Sequence, residues 1–235
     1  MKKEKIIEML ETSSQKRMEL INQHLENGVI IPILDGVFIG ENVKIAAGVV
    51  IMPSTLLLGE TSIGAGSVVG ANSVLHDTIV GENCSLNNVQ AYSSEIGNGA
   101  DLGPFVHIRP NTVLGENVHL GNFVEAKNSN IDDGTKVSHL TYVGDSDVGK
   151  NVNFGCGCVT VNYDGKNKHR TTIGDNCFIG CNTNLVAPVT VADFSYTAAG
   201  STITDNVPEM SLAVARAKQV NKVDWVAEKK PYKNM

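Results

Sequence analysis

Aliphatic side chains recur every six residues along most of this chain. Ile39, Ile45, Ile51, Leu57, Ile63, Val69 and Leu75 form one unbroken series. The phase then resets, and the series resumes as Ile96, Leu102, Ile108, Leu114 and Leu120, then as Ile131, Val137 and Val143. A last run reads Ile173, Ile179, Leu185, Val191, Thr197 and Ile203. Four residues after most anchors stands a small or β-branched side chain, such as Val49, Thr55, Ser67, Thr112 or Thr135, and a Gly often follows the anchor, as in Ile39-Gly40 and Leu114-Gly115. This period matches neither an amphipathic helix nor an alternating strand.

A unit of six is a short strand plus a corner, with the aliphatic residue turned into a prism. Three such sides close one coil, and stacked coils bury a column of Ile, Val and Leu that no single coil buries alone. Residues 39–208 hold about nine coils, which at the usual strand spacing make a prism roughly 45 Å long. A β-sandwich predicts period-two alternation and a turn signal at wider spacing, and neither is present. The fold class is therefore all-β, a single-stranded parallel β-helix.

Both ends leave the pattern. Residues 1–30 carry Ile6, Ile7, Leu10, Met18, Ile21 and Leu25 among charges and stop at Gly28, which predicts a helical segment of one or two amphipathic helices. The prism is expected over residues 31–208, interrupted by an excursion loop at about 161–172, where Asn162-Tyr163-Asp164-Gly165-Lys166-Asn167-Lys168 breaks the phase. Residues 209–235 form an irregular basic tail holding the single Trp, Trp225.

Charge and cysteine usage narrow the function classes. Nineteen Lys and Arg stand against 25 Asp and Glu, a net charge of −6, so no strong field favours nucleic acid or an anionic membrane. Apolar stretches fall short of a membrane span and the amino terminus lacks a signal-peptide block, so a cytoplasmic protein is expected. Five cysteines without a CxxC pair fit reduced thiols. His107 and His119 lack metal-ligand spacing, and no metal is expected.

Four ordered stretches carry a resemblance: Gly103-Pro104-Phe105-Val106-His107-Ile108-Arg109-Pro110, Gly121-Asn122-Phe123-Val124-Glu125-Ala126-Lys127, Ser138-His139-Leu140-Thr141-Tyr142-Val143-Gly144-Asp145 and Val161 through Lys168. Residues 103–225 resemble the C-terminal acetyltransferase domain of bifunctional UDP-N-acetylglucosamine pyrophosphorylase/glucosamine-1-phosphate N-acetyltransferase. The resemblance implies a left-handed helix (hexapeptide repeat), against the usual right-handed crossover rule. It also implies a homotrimer with intersubunit active sites, acetyl-CoA as co-substrate and an amino-sugar phosphate as acceptor. The uridylyltransferase domain of that family has no counterpart in these residues.

The matched positions assign roles. His139 is implied as general base, Glu125 as the carboxylate orienting its imidazole, and Asn162 as a group helping the oxyanion. Arg109, Lys127, Tyr142, Asn153, Tyr163 and Lys168 fall where the family binds the sugar phosphate. Glu125 and Lys127, two apart on a strand, share a face. Cys156, Cys181, Ala199, Arg216 and Lys222 fall where it binds acetyl-CoA; Ala or Ser is usual at the two cysteines, which read as small packing residues, and Gly is usual at Asp224. Two other readings stand beside this one: an acetyltransferase for another amino sugar or nucleotide sugar, and a non-catalytic trimeric partner of a separate uridylyltransferase.

Overall fold

The structure, a computed structural model, describes residues 14–229. Three parallel sheets of ten, nine and ten strands form the sides of a left-handed β-helix of about 10 turns. The chain visits the sheets in rotation: Phe38–Ile39 opens the first, Lys44–Ile45 the second and Val50–Ile51 the third. Each strand pairs with the one a coil later, so that Ile39 meets Leu57 and Leu57 meets Leu75.

That register stacks like on like. The anchors Ile39, Ile51, Leu57, Leu75, Leu102, Ile108, Leu120 and Ile179 are fully or almost fully buried and form one continuous core. Each such side chain contributes about 1.5–3 kcal/mol by leaving water. The small residues before each strand also point inward, and their hydroxyls bridge coils. Ser67 Oγ, for example, donates to the Gly81 carbonyl at 2.9 Å and accepts from the Cys84 amide at 2.9 Å. A buried hydroxyl without such partners is costly, so corners carry Ser and Thr where the next coil offers a carbonyl.

The phase resets have a local cause. Leu75 to Val80, Ala91 to Ile96, Ala126 to Ile131 and Val143 to Val148 are sides of five residues, shortened at the corner. On six-residue sides the left-handed corner residue lies three after the anchor, as at Asn83, Asn117 and Asn151; on five-residue sides it lies two after, as at Asp77, Asn128 and Asp145. Asn and Asp dominate these corners because their short polar side chains tolerate positive φ. Phe105, Phe123 and Leu140 are the exceptions on one corner, all exposed, with the two Phe rings stacked at 5.3 Å.

Helix α1, Ser14–Glu26, lies across the first coil. It buries Ile21 in the core, and the Arg17 side chain donates to the Leu34 and Val37 carbonyls, both at 2.7 Å. Gly28, at φ 85°, ends the helix: its amide bonds the Leu25 carbonyl and the Val29 amide the His24 carbonyl, satisfying two terminal acceptors. The first thirteen residues of the expected helical segment lie outside the described residues. At the other end the third sheet runs on to Leu212–Ala213, paired with Tyr196–Thr197, beyond residue 208. A short helix α2, Trp225–Lys229, follows in the exposed tail.

Candidate active site

The register sets which polar residues share a face. His107, Glu125 and Tyr142 are consecutive partners on the outer side of the first sheet. Arg109 and Lys127 stand two residues further along the same strands, each side of a buried Ile108 or Ala126. The Glu125 carboxylate accepts from Arg109 Nη1 at 2.8 Å.

The excursion occupies residues 162–170, between the strands Val159–Val161 and Thr171–Ile173. It is an ordered hairpin: Tyr163 bridges Lys168, Asp164 accepts the Lys166 and Asn167 amides at 2.7 and 2.6 Å, and His169 Nε2 lies 2.8 Å from Asp164 Oδ2. Those donors hold the Asp164 carboxyl well below its usual range, the Asn167 amide foremost. At its foot Arg170 grips Asp147 through Nε at 2.8 Å and Nη2 at 2.5 Å. The loop is thereby folded back onto the first-sheet edge, where the Asn162 amide donates to Asp145 and lies 3.5 Å from the Tyr142 hydroxyl.

Lys127 and Lys168 meet there beside Asp145, and the Arg109 charge acts on Lys127 from the neighbouring coil. Contact with Lys168 lowers the Lys127 pKa most; burial and the charges of Lys168 and Arg109 add to this, and Asp145 opposes it. Two ammonium groups offer only donors, so their contact favours an anion placed between them.

His139 stands at the opposite edge of the first sheet, where the third sheet turns into it. It is the coil partner of Asn122, and its Nδ1 lies 3.2 Å from Asn122 Oδ1. An amide oxygen only accepts, so Nδ1 carries the hydrogen, and in the neutral ring the lone pair is then on Nε2. Within one subunit the Glu125 strand lies past the Phe123 corner and its carboxylate goes to Arg109, while the register puts Asn122 against the imidazole.

Below His139 the same corner position recurs in each coil. The His139 carbonyl accepts from Gly157, that of Cys156 from Asn182 and that of Cys181 from Gly200, so His139, Cys156, Cys181 and Ala199 form one column. Cys181 and Ala199 are exposed and Cys156 half-buried, whereas burial pushes the Cys158 thiol behind them up to about 11. Gly200 at the foot of the column faces the Arg216 side chain. Lys222 is exposed in the tail, and Tyr163 is exposed with its hydroxyl on the Gly165 carbonyl. Asn153 stands apart from the cations, on the third sheet between Lys136 and Phe178.

Comparison with known proteins places this arrangement. The family model "Bacterial transferase hexapeptide (six repeats)" matches residues 170–205, and "Hexapeptide repeat of succinyl-transferase" matches 26–53 and 60–88. "Bifunctional protein GlmU" of Thermoanaerobacter pseudethanolicus is 51% identical over 223 residues, covering 95% of this chain and 49% of that protein. The chain belongs to the GlmU family and matches its C-terminal part. GlmU of Clostridium acetobutylicum is likewise 51% identical, over 92% of this chain and 47% of its own length. The chain thus spans about half the length of the GlmU proteins it matches. In fold it is similar to an Arabidopsis UDP-N-acetylglucosamine acyltransferase, at 17% identity and a TM-score of 0.53 over 80% of this chain and 68% of that one.

Two residues of the GlmU-like cluster escaped the sequence reading. Asn122 and Asp145 both lie inside quoted motifs, but their roles arise from partners a full coil away. The Asp224 departure from the usual Gly resolves simply: Asp224 adopts φ 60°, a left-handed conformation Asp tolerates. Among the described residues no group of three His, Cys, Asp or Glu is placed to hold a metal, and no helix is long and apolar enough to cross a membrane.

Proposed function

We propose that this chain transfers an acetyl group from acetyl-CoA to the amino group of glucosamine 1-phosphate, in the cytosol and as a homotrimer. One observation carries the reading: an imidazole with its neutral-ring lone pair on Nε2 heads a column of small residues on one edge of a sheet whose other edge gathers three cations.

The column suits a pantetheine arm. From His139 to Ala199 are three coil steps, about 14 Å at the usual strand spacing, lined by small side chains and closed by Arg216 near Gly200. Acetyl-CoA supplies a thioester already activated toward an amine. Arg216 and Lys222 would hold its phosphates, and Cys156, Cys181 and Ala199 would border the arm.

For the acceptor, Arg109, Lys127 and Lys168 would hold the phosphate, with Arg109 able to bind two oxygens and the lysines acting as point charges. Tyr142, Tyr163 and Asn153 would bind the sugar. His139 Nε2 would take the proton from the amino group as the new N–C bond forms, and the imidazolium would hand it to the CoA thiolate expelled as the C–S bond breaks, a contribution of about 10²–10⁴ in rate. Asn162 Nδ2 donates to Asp145 and, over a long 3.5 Å, to the Tyr142 hydroxyl; the hydrogen in that weak second bond would turn to the oxyanion. Glu125, beside Tyr142 on the same face, would bind the sugar while neutralising Arg109.

The trimer reading rests on geometry. Asn153 lies on the third sheet, away from the first-sheet face that carries the cations, so it would join their acceptor where subunits meet, and a flat-sided prism packs naturally about a closed symmetry axis. The test is release of free CoA thiol from acetyl-CoA and glucosamine 1-phosphate, wild type beside His139→Ala. A loss of at least a hundredfold is expected; undiminished turnover removes the base. A panel of amino sugars and nucleotide sugars in the same assay separates the acceptors.

A further inference from the structure

We infer that Asp145 is a positioning residue, a buried carboxylate that clamps the excursion loop to the sheet and keeps the Lys127 and Lys168 pair charged for an anionic acceptor. This rests on the acceptor reading above. Asp145 is only 3% exposed, yet it touches three separate parts of the candidate site. Its Oδ1 accepts from Asn128 Nδ2 at 2.5 Å, its Oδ2 accepts from Asn162 Nδ2, and Lys127 Nζ lies 3.7 Å away. Its backbone joins the same elements: the Asp145 amide bonds the Lys127 carbonyl at 2.9 Å and its carbonyl accepts from Thr171, the first residue after the loop, at 3.1 Å.

A buried carboxylate beneath a phosphate-binding cluster looks counterproductive, since it repels the anion. Two facts give it a purpose. Lys127 faces Lys168 from the loop and Arg109 from the coil above, with Glu125 on its own strand committed to Arg109, so Asp145 is the counter-charge left for the lysine pair. Burial by itself would raise the Asp145 carboxyl, but the Asn128 and Asn162 amides and the two lysines outweigh it and hold it below the usual range. It is therefore ionised whenever the lysines need it. Second, the two side-chain amides approach it with donors only, an arrangement an amide at position 145 cannot reproduce, having one acceptor oxygen for two N–H groups.

The discriminating variant is Asp145→Asn, with the swap Asn128→Asp/Asp145→Asn as its rescue. Positions 128 and 145 are both left-handed corner residues one coil apart, and both tolerate either residue. In Asp145→Asn the titration of Lys127, read by mass spectrometry as amine labelling against pH, should move about one unit lower, as loss of an opposite charge within a few ångströms predicts. The KM for glucosamine 1-phosphate should climb relative to wild type as pH passes the lowered labelling midpoint, by up to about tenfold for the lost cation, on top of any pH-independent rise from loosening the loop, with KM for acetyl-CoA unchanged. The swap should restore both. A labelling midpoint that does not move, or a KM ratio to wild type that is the same below and above that midpoint, overturns the proposal. Labelling needs no turnover, so an inactive wild type would sink the acceptor reading while the Asp145 clamp is still decided. Should Asp145→Asn fail to fold, the swap alone decides: a wild-type labelling midpoint supports the clamp and a shifted one refutes it.

Discussion

His139 Nδ1 lies 3.2 Å from the side-chain oxygen of Asn122, its partner one coil above. This contact fixes the tautomer that puts the neutral-ring lone pair on Nε2, so Asn122→Ala should lower kcat about tenfold while leaving both KM values within twofold. Asn122→Gln should fall between. The contribution is that of an orienting hydrogen bond, smaller than that of the base itself. Steady-state CoA release measures it, and an unchanged kcat in Asn122→Ala excludes the role.

The three cysteines of this region differ in exposure: Cys181 is exposed, Cys156 half-buried and Cys158 buried. Cys158 is buried, with its thiol pushed up to about 11, and should resist iodoacetamide at pH 7.5. Cys181 is exposed and should be alkylated first. Saturating acetyl-CoA should slow that labelling at least fivefold, in proportion to site occupancy. Peptide mapping after timed quenching reports the order, and labelling indifferent to acetyl-CoA takes the column out of the cofactor path.

Arg170 pins the foot of the excursion through two bonds to Asp147. Arg170→Ala should raise the KM for the sugar phosphate about tenfold, roughly the worth of a bidentate charge-assisted contact, and leave that for acetyl-CoA alone. Arg170→Lys keeps the charge but not the fork, and should recover only part of the loss.

Acid should release the same loop. Asp147, through Arg170, and Asp145, through Asn128, Asn162 and the lysines against the pull of burial, both titrate below the usual carboxylate range. Stabilisation from such groups is complete above the unfolded carboxylate pKa of about 3.9 and fades as pH falls through the lowered folded values. Amide exchange at Thr171, bonded to the Asp145 carbonyl, should therefore accelerate, beyond its intrinsic pH dependence, below about pH 4 and before the core anchors open.

Truncating a core anchor tests the stack itself. Leu120→Ala should cost about 2–5 kcal/mol, by the lost transfer energy and the cavity left behind. Chemical denaturation of the variant measures it.

The prism was legible because its signal is repeated: Leu57 and Leu75 share one inward point of successive coils and Leu102 and Leu120 another, so one register error would be outvoted by the rest. The five-residue sides were seen only as lost phase, although Asp77, Ser93, Asn128 and Asp145 mark them with residues suited to positive φ. The grouping of Glu125 with Lys127 followed from strand alternation, a local rule. Asn122 and Asp145 could not be read that way, because their partners lie 17 residues off, at His139 and at Asn128 and Asn162. Phe105, Phe123 and Leu140 broke the corner rule outright, bulky residues at positions where Asn or Gly would be expected.

Helix α1 has a bearing on solubility. A stacked prism finishes in a rim of strand edges whose open backbone groups invite another chain to continue the ladder. With Ile21 seated in the bore and the Arg17 fork occupying the carbonyls of Leu34 and Val37, that rim is sealed, so the short helix acts as a stopper against runaway end-to-end growth.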